Sequence, residues 1–256
     1  MSDLDLSRPG SKVARITFAF WVMKISATTL GETGGDLLSM TLNIGYAVSS
    51  LILVSIFLIT LAFQLRAKSF HPGLYWLVIV STSTAGTTMS DYMDRTLHLG
   101  YLWGSLILIS ILAAVLAAWR LTIGNLSVEN IRGLRTESFY WTAILVSNTL
   151  GTALGDFLAD TSGLGFAGGA LLIASIIFAI ALAYLYTPIS RTLLFWGAFV
   201  LTRPLGATFG DLLTKVPEKG GLGFGTIGSS TVLAMILVGC LYFSWKKFGG
   251  RSSVFI

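Results

Sequence analysis

TLGETGGDLL at 29–38, TAGTTMSDYM at 84–93, TLGTALGDFL at 149–158 and PLGATFGDLL at 204–213 are four versions of one phrase. Each ends its conserved part on an aspartate: Asp36, Asp91, Asp156 and Asp211, separated by 55, 65 and 55 residues. Four tryptophans, Trp21, Trp76, Trp141 and Trp196, keep the same three spacings and precede their aspartates by 15 residues. After each aspartate comes a second signature, Ile44-Gly45-Tyr46, Leu99-Gly100-Tyr101, Leu164-Gly165-Phe166 and Leu222-Gly223-Phe224. Self-similarity at a fixed period marks a chain built from repeated supersecondary units. We place the units at 14–66, 72–121, 137–187 and 190–246, within one transmembrane domain spanning 1–256.

Each unit holds two apolar segments, so the predicted helices are 14–35, 43–65, 73–93, 99–120, 138–158, 164–186, 190–213 and 222–245. The chain is 54% hydrophobic and 11% charged, against about 25% charged in a soluble domain. Apolar runs of about 18 residues with few charges read as membrane helices. The expected fold is therefore all-α, a polytopic bundle of eight transmembrane helices from four tandem parallel two-helix repeats. Short alternating segments of the kind that build a membrane β-barrel are absent from the sequence. The first apolar segment lacks a small-residue cleavage site, so no cleavable signal peptide is expected.

Lysine and arginine favour cytoplasmic loops. Arg8, Lys12, Arg15, Arg66, Lys68, Arg120, Arg132, Arg135, Arg191, Lys246, Lys247 and Arg251 fall on one side; Arg95, Lys215 and Lys219 fall on the other. Both termini are thus expected in the cytoplasm, with the protein multi-pass in the inner (plasma) membrane. The net charge of +5 belongs to this asymmetry, so no nucleic-acid partner is expected. The aspartates then gather toward the outer end of the odd-numbered helices. The tryptophans gather at the cytoplasmic end, either as an interfacial aromatic belt or packed inside the bundle to close it.

Small residues at spacing i, i+4 precede each aspartate: Gly31/Gly35, Gly86/Ser90, Gly151/Gly155 and Gly206/Gly210. Such pairs let membrane helices approach closely. Ionisable groups at membrane depth are costly and face a bundle interior or a water cavity. Helical spacing sets Thr29 and Thr33 below Asp36, Thr84 and Thr88 below Asp91, and Thr149 below Asp156. Carboxylate and hydroxyl oxygens suit hard cations. Convergence of the four stripes would make an acidic vestibule open to the outside, with Asp36, Asp91, Asp156 and Asp211 as ion or metal ligands. The competing reading is structural: an aspartate at a helix end caps the next turn or pairs with a nearby loop.

Three residues break the repeat. Glu32 stands where the other copies have Thr87, Thr152 and Ala207; Lys24 replaces Ile79, Ile144 and Phe199; Arg203 replaces Thr28, Ser83 and Asn148. Cations in a membrane helix should be paired. Arg203 and Lys24 are expected to pair with Glu32, with an inward aspartate, or with Asn148, as internal counter-charges. Pro204 and the glycine-rich run at 221–230 are candidate pliable points.

Four tandem two-helix repeats, each with one tryptophan and a T-x-G-x-x-x-[GS]-D-like run, resemble a bacterial membrane-protein family built from the repeat called domain of unknown function number 347. The resemblance covers Trp21 to about Trp245 and departs at Pro204, where the other copies have threonine. It implies the fold and the membrane, and brings no activity.

The leading functional expectation is transport of a small cation, with proton-coupled metal-ion export foremost, on Asp36, Asp91, Asp156, Asp211 and Glu32 with Thr29, Thr33, Thr84, Thr88, Thr149 and Asn148 as neutral ligands, the partners being the lipid bilayer, the cation and protons. A cation channel with an aspartate-lined mouth is the alternative, set against by the unequal Lys24, Glu32 and Arg203. A non-transporting sensor or ligand-binding protein is the third. A haem would need axial ligands, and His71 and His98 lie in connections on opposite sides; a Schiff-base pigment would need Lys24. No resident cofactor is expected beyond a transported metal ion. The lone Cys240 supports neither disulfide nor thiolate cage. No HExxH, GxSxG or phosphate-loop motif occurs, so an enzyme is not expected.

Overall fold

A computed structural model describes residues 12–128, 131 and 133–249, with side chains as far as residue 243. Arg8, Arg132, Lys246, Lys247 and Arg251, which entered the charge asymmetry, fall outside the described side chains. The described residues form eight long helices and no strand: α1 (Phe18–Asp36), α2 (Tyr46–Arg66), α3 (Pro72–Asp91), α4 (Tyr101–Ile123), α5 (Leu134–Asp156), α6 (Gly165–Tyr186), α7 (Arg191–Thr214) and α8 (Thr226–Gly249).

Local chemistry sets the helix ends. The Thr17 hydroxyl accepts from the Phe20 amide, which caps α1, and Pro72 occupies the first turn of α3. Gly124, left-handed at φ 88°, terminates α4. Gly45 and Gly100 stand before α2 and α4 at φ 81° and 72°, with ψ 160° and 153°, a region open only to glycine. This is why the Gly-aromatic signature recurs after every aspartate.

The aspartate does not end its helix in a plain loop. A π turn follows in the first three units, over Leu37–Thr41, Tyr92–Thr96 and Phe157–Thr161. The fourth unit differs. Asp211 precedes Gly223 by 12 residues, where the other three aspartates precede their glycines by 9. No π turn forms there; a short 3-10 turn over Pro217–Lys219 takes up the longer connection.

The odd helices make the core. α1 packs on α3, α3 on α5, α5 on α7, and α7 back on α1, a closed ring of four. The even helices stand outside it, each against the odd helix of the following unit: α2 on α3, α4 on α5, α6 on α7, and α8 on α1. The two helices of one repeat therefore splay apart and meet chiefly through their connecting turn. A lone unit leaves its second helix unpartnered, and the outer layer is complete only when α8 reaches α1.

The glycine pairs explain the close approach. A Cβ at Gly31 would overlap Ser83, one at Gly86 would lie 2.9 Å from the Thr149 amide nitrogen, one at Gly151 would overlap Arg203, and one at Gly206 would lie 2.7 Å from the Thr28 hydroxyl. Each helix thus presents its first glycine to the Thr28/Ser83/Asn148/Arg203 position of the next helix around the ring. The second glycine repeats this one turn on, Gly35 toward Thr87, Gly155 toward Ala207 and Gly210 toward Glu32.

Five helices, α2, α4, α6, α7 and α8, are long and apolar enough to cross a membrane. Of the eight expected spans, α1, α3 and α5 fall short of that apolarity. Their inward faces carry too many hydroxyls and charges, which the ring buries. Pro204 lies inside a continuous α7, packed toward Gly151.

Candidate functional site

Steps of four residues along each odd helix, roughly 6 Å apart, divide the ring into layers. The lowest holds Phe20, Tyr75, Tyr140 and Phe195, each directly before its tryptophan. The Tyr75 and Tyr140 hydroxyls meet at 2.7 Å. Trp76 and Trp141 are fully buried, and Trp196 is buried with its ring nitrogen donating to the Leu126 carbonyl at 3.1 Å. The belt expectation is therefore corrected: only Trp21 is half-buried, and it packs on Phe20 and Phe195. The stripe that carries the tryptophans faces inward, so the aromatic rings meet edge-on or tilted and fill this end.

Lys24 occupies the next layer, fully buried, with its ammonium 4.2 Å from the centre of the Phe199 ring. Its nitrogen has no hydrogen-bond partner. The expectation that Lys24 pairs with a carboxylate or with Asn148 fails. Asn148 instead donates to the Thr82 hydroxyl at 2.8 Å.

Arg203 behaves as expected. Its Nη2 donates to Glu32 Oε2 at 2.8 Å, Thr87 Oγ1 at 2.5 Å and Thr152 Oγ1 at 2.7 Å. These three acceptors hold one repeat position on three helices; the fourth is Ala207, on its own helix. One guanidinium from α7 thus ties α1, α3 and α5 together across the ring. Gly151 makes room for its stem.

The aspartates form the next layer, and all four are buried. The expected open vestibule is corrected, because two cations occupy it. Lys215 Nζ lies 2.6 Å from Asp36 Oδ2 and 3.0 Å from Asp211 Oδ1. Arg95 Nε lies 2.8 Å from Asp91 Oδ1, and its Nη2 lies 3.2 Å from Asp156 Oδ2. Arg95 and Lys215 hold the same repeat position, four residues past their own aspartates, where the other units have Met40 and Asp160. Each bridges its own aspartate to that of the next unit, so the layer has two similar halves.

Burial alone would lower the basicity of both bridging cations. Asp211 and Asp36 outweigh it for Lys215, and Asp91 and Asp156 for Arg95, holding each above its ordinary pKa. Both are charged at neutral pH. Four carboxyl groups thus share two cations. The capping alternative fails for Asp36, Asp91 and Asp156, which make no side-chain cap to the turn that follows. The loop-pairing alternative holds in part, through Arg95 and Lys215.

The threonines named from spacing are placed less directly. Thr29, Thr84, Thr88 and Thr149 donate to carbonyls of their own helices, and Thr33 meets Ser230 on α8 at 2.7 Å. The hydroxyls on the Arg203 layer are Thr87 and Thr152. Glu32, Asp36 and Asp211 each place an oxygen within 4.8 Å of the other two, a group that could hold a metal ion. Arg95 and Lys215 were missed as site residues because the charge count treated them as loop cations. Their shared repeat position was the available signal.

No curated protein and no solved structure matches the chain. The family described as Repeat of Unknown Function (DUF347) matches it four times, at residues 19–70, 74–124, 139–190 and 194–247. With four tandem copies over nearly its whole length, the chain belongs to that repeat family.

Proposed function

We propose that this protein is a bacterial inner-membrane transporter of a small cation, foremost a proton-coupled metal-ion exporter, with eight spans and both termini in the cytoplasm. One observation carries the reading: four buried carboxylates share only two cations. Uncompensated charge at membrane depth is costly. Protons or a metal cation can each supply the missing positive charge, and exchange of one for the other is the elementary step of proton-coupled transport.

The architecture supports it. α1, α3 and α5 cross inside the screen of even helices, so they need not be apolar themselves. The aromatic floor closes the cytoplasmic end, and the carboxylate layer faces outward. Pseudo-twofold halves suit rocking of one pair of repeats against the other. The bilayer, the ion and protons are the partners, with no enzymatic chemistry. A channel is disfavoured by Arg203, whose guanidinium joins the helices across the ring below the carboxylates.

Reconstituted vesicles test this. A divalent cation gradient is expected to drive proton movement, read with a pH-sensitive dye, and D36N and D156N are expected to abolish it while the protein stays folded. Failure of every alkaline-earth and first-row divalent ion to move protons would overturn the proposal. So would wild-type flux from all four single Asp→Asn variants.

A further inference from the structure

The two halves of the aspartate layer are not equivalent. On the α3–α5 seam a guanidinium bridges the pair, and on the α7–α1 seam an ammonium does. Guanidinium is a rigid planar fork, whereas a lysine ammonium is a compact charge on a flexible four-carbon stem. The α7–α1 seam also carries the longer connection of the fourth unit, in which a short 3-10 turn stands in place of the π turn. A cavity of about 420 Å³ opens there, bounded by Asp36, Met40, Lys215, Lys219, Phe224 and Thr226 among others. Asp36 lines that cavity while its side chain is only 2% exposed, and its Oδ1 has no hydrogen-bond partner. Behind it Glu32 and Asp211 complete the trio whose oxygens lie within 4.8 Å of one another.

We infer that this seam binds a hard divalent cation on Glu32, Asp36 and Asp211, and that the Lys215 ammonium swings into the adjoining cavity as the ion enters. This rests on the transport reading and gives it an address. Carboxylate oxygens are the ligands hard divalent ions prefer. The charges also close: three carboxylates are matched by one divalent ion and the Arg203 guanidinium already bound to Glu32. Lys215 is then a tethered competitor that holds the site when no ion is present. The Arg95 seam, clamped by a fork, keeps the other half of the layer together.

Mn2+ is a suitable probe, because loss of its free-ion electron paramagnetic resonance signal reports binding to the full chain in detergent micelles. Removing the tethered competitor with K215M is expected to tighten Mn2+ binding at least tenfold. Fixing it with a fork, K215R, is expected to weaken binding at least tenfold. Adding D36N to K215M is expected to abolish it. K215M binding no tighter than wild type, or K215M/D36N still binding, overturns the assignment. Should K215M fail to fold, K215R decides: weaker binding supports the proposal, and equal or tighter binding overturns it. Mn2+ flux in vesicles together with a Kd unmoved by K215M would sink this site and leave the transport reading standing. The predicted binding order without any flux would do the reverse.

Discussion

Arg203 Nη2 lies 2.8 Å from Glu32 Oε2, with the arginine fully buried and the glutamate 3% exposed, across 171 residues of sequence. Each of these two repeat positions is uncharged in the other three units: Thr28, Ser83 and Asn148 match Arg203, and Thr87, Thr152 and Ala207 match Glu32. The pair is a point where fourfold repetition has been traded for a single cross-link between α1 and α7.

Breaking this pair from one side should be costly. E32L or R203M strands a buried charge and is expected to lower stability by about 3–5 kcal/mol, while the double change E32L/R203M recovers most of it. Thermal unfolding of the four proteins in one detergent, set out as a double-mutant cycle, measures the coupling. Additive losses would mean that the two side chains act independently.

The glycines should divide by what faces them. A Cβ at Gly86 would sit 2.9 Å from the Thr149 backbone nitrogen, which has no room to move. G86A is expected to cost about 1–3 kcal/mol as α3 and α5 are pushed apart. A Cβ at Gly34 would meet only the Thr84 methyl at 3.4 Å. G34A is expected to be neutral or stabilising, because alanine is favoured over glycine in a helix by roughly 0.8–1.0 kcal/mol. Unfolding temperatures of the two variants check the contrast.

The hydroxyls of Tyr75 and Tyr140 are each other's partners on the aromatic floor. Y140F strands the Tyr75 hydroxyl in a buried place and is expected to cost about 1–3 kcal/mol, whereas Y75F/Y140F should be close to wild type. The same unfolding measurement applies. A double variant weaker than either single would show that the floor depends on more than this bond.

Asp94 gives a pH signature outside the spans. It sits in the π turn after α3 against Gly104, and burial lifts its pKa to about 6, with the Ser90 hydroxyl and Arg95 pulling the other way. The folded state therefore holds this proton more tightly than the unfolded chain. The stability it contributes is complete below the ordinary aspartate value and is lost as pH rises through about 6. Unfolding temperature plotted from pH 4 to pH 7 should fall less steeply for D94N than for wild type. Parallel curves would remove Asp94 from the account.

The fold was legible because repetition is a local property of the chain. The 55-residue period, the glycine before each aspartate and the glycine after it are all spacings along one strand of text. They fix helix length, turn position and which residues share a stripe. Lys24, Glu32 and Arg203 stood out for the same reason, as departures from an internal standard. Arg95 and Lys215 obeyed that standard too, four residues past Asp91 and Asp211, but a count of loop charges hid them.

What the sequence determined by itself was therefore the four units, their helices and the register of the aspartates. Only the tertiary structure decided that the helices of one unit splay apart, that Trp76 and Trp141 lie inside, and that Lys24 has no carboxylate. It alone decided that Lys215 closes the ring by bridging Asp211 to Asp36. The physical reason is that a stripe is set by the 3.6-residue turn, whereas a partner is set by packing between helices far apart in the chain. A buried charge finds its counter-charge wherever the glycines let another helix come close.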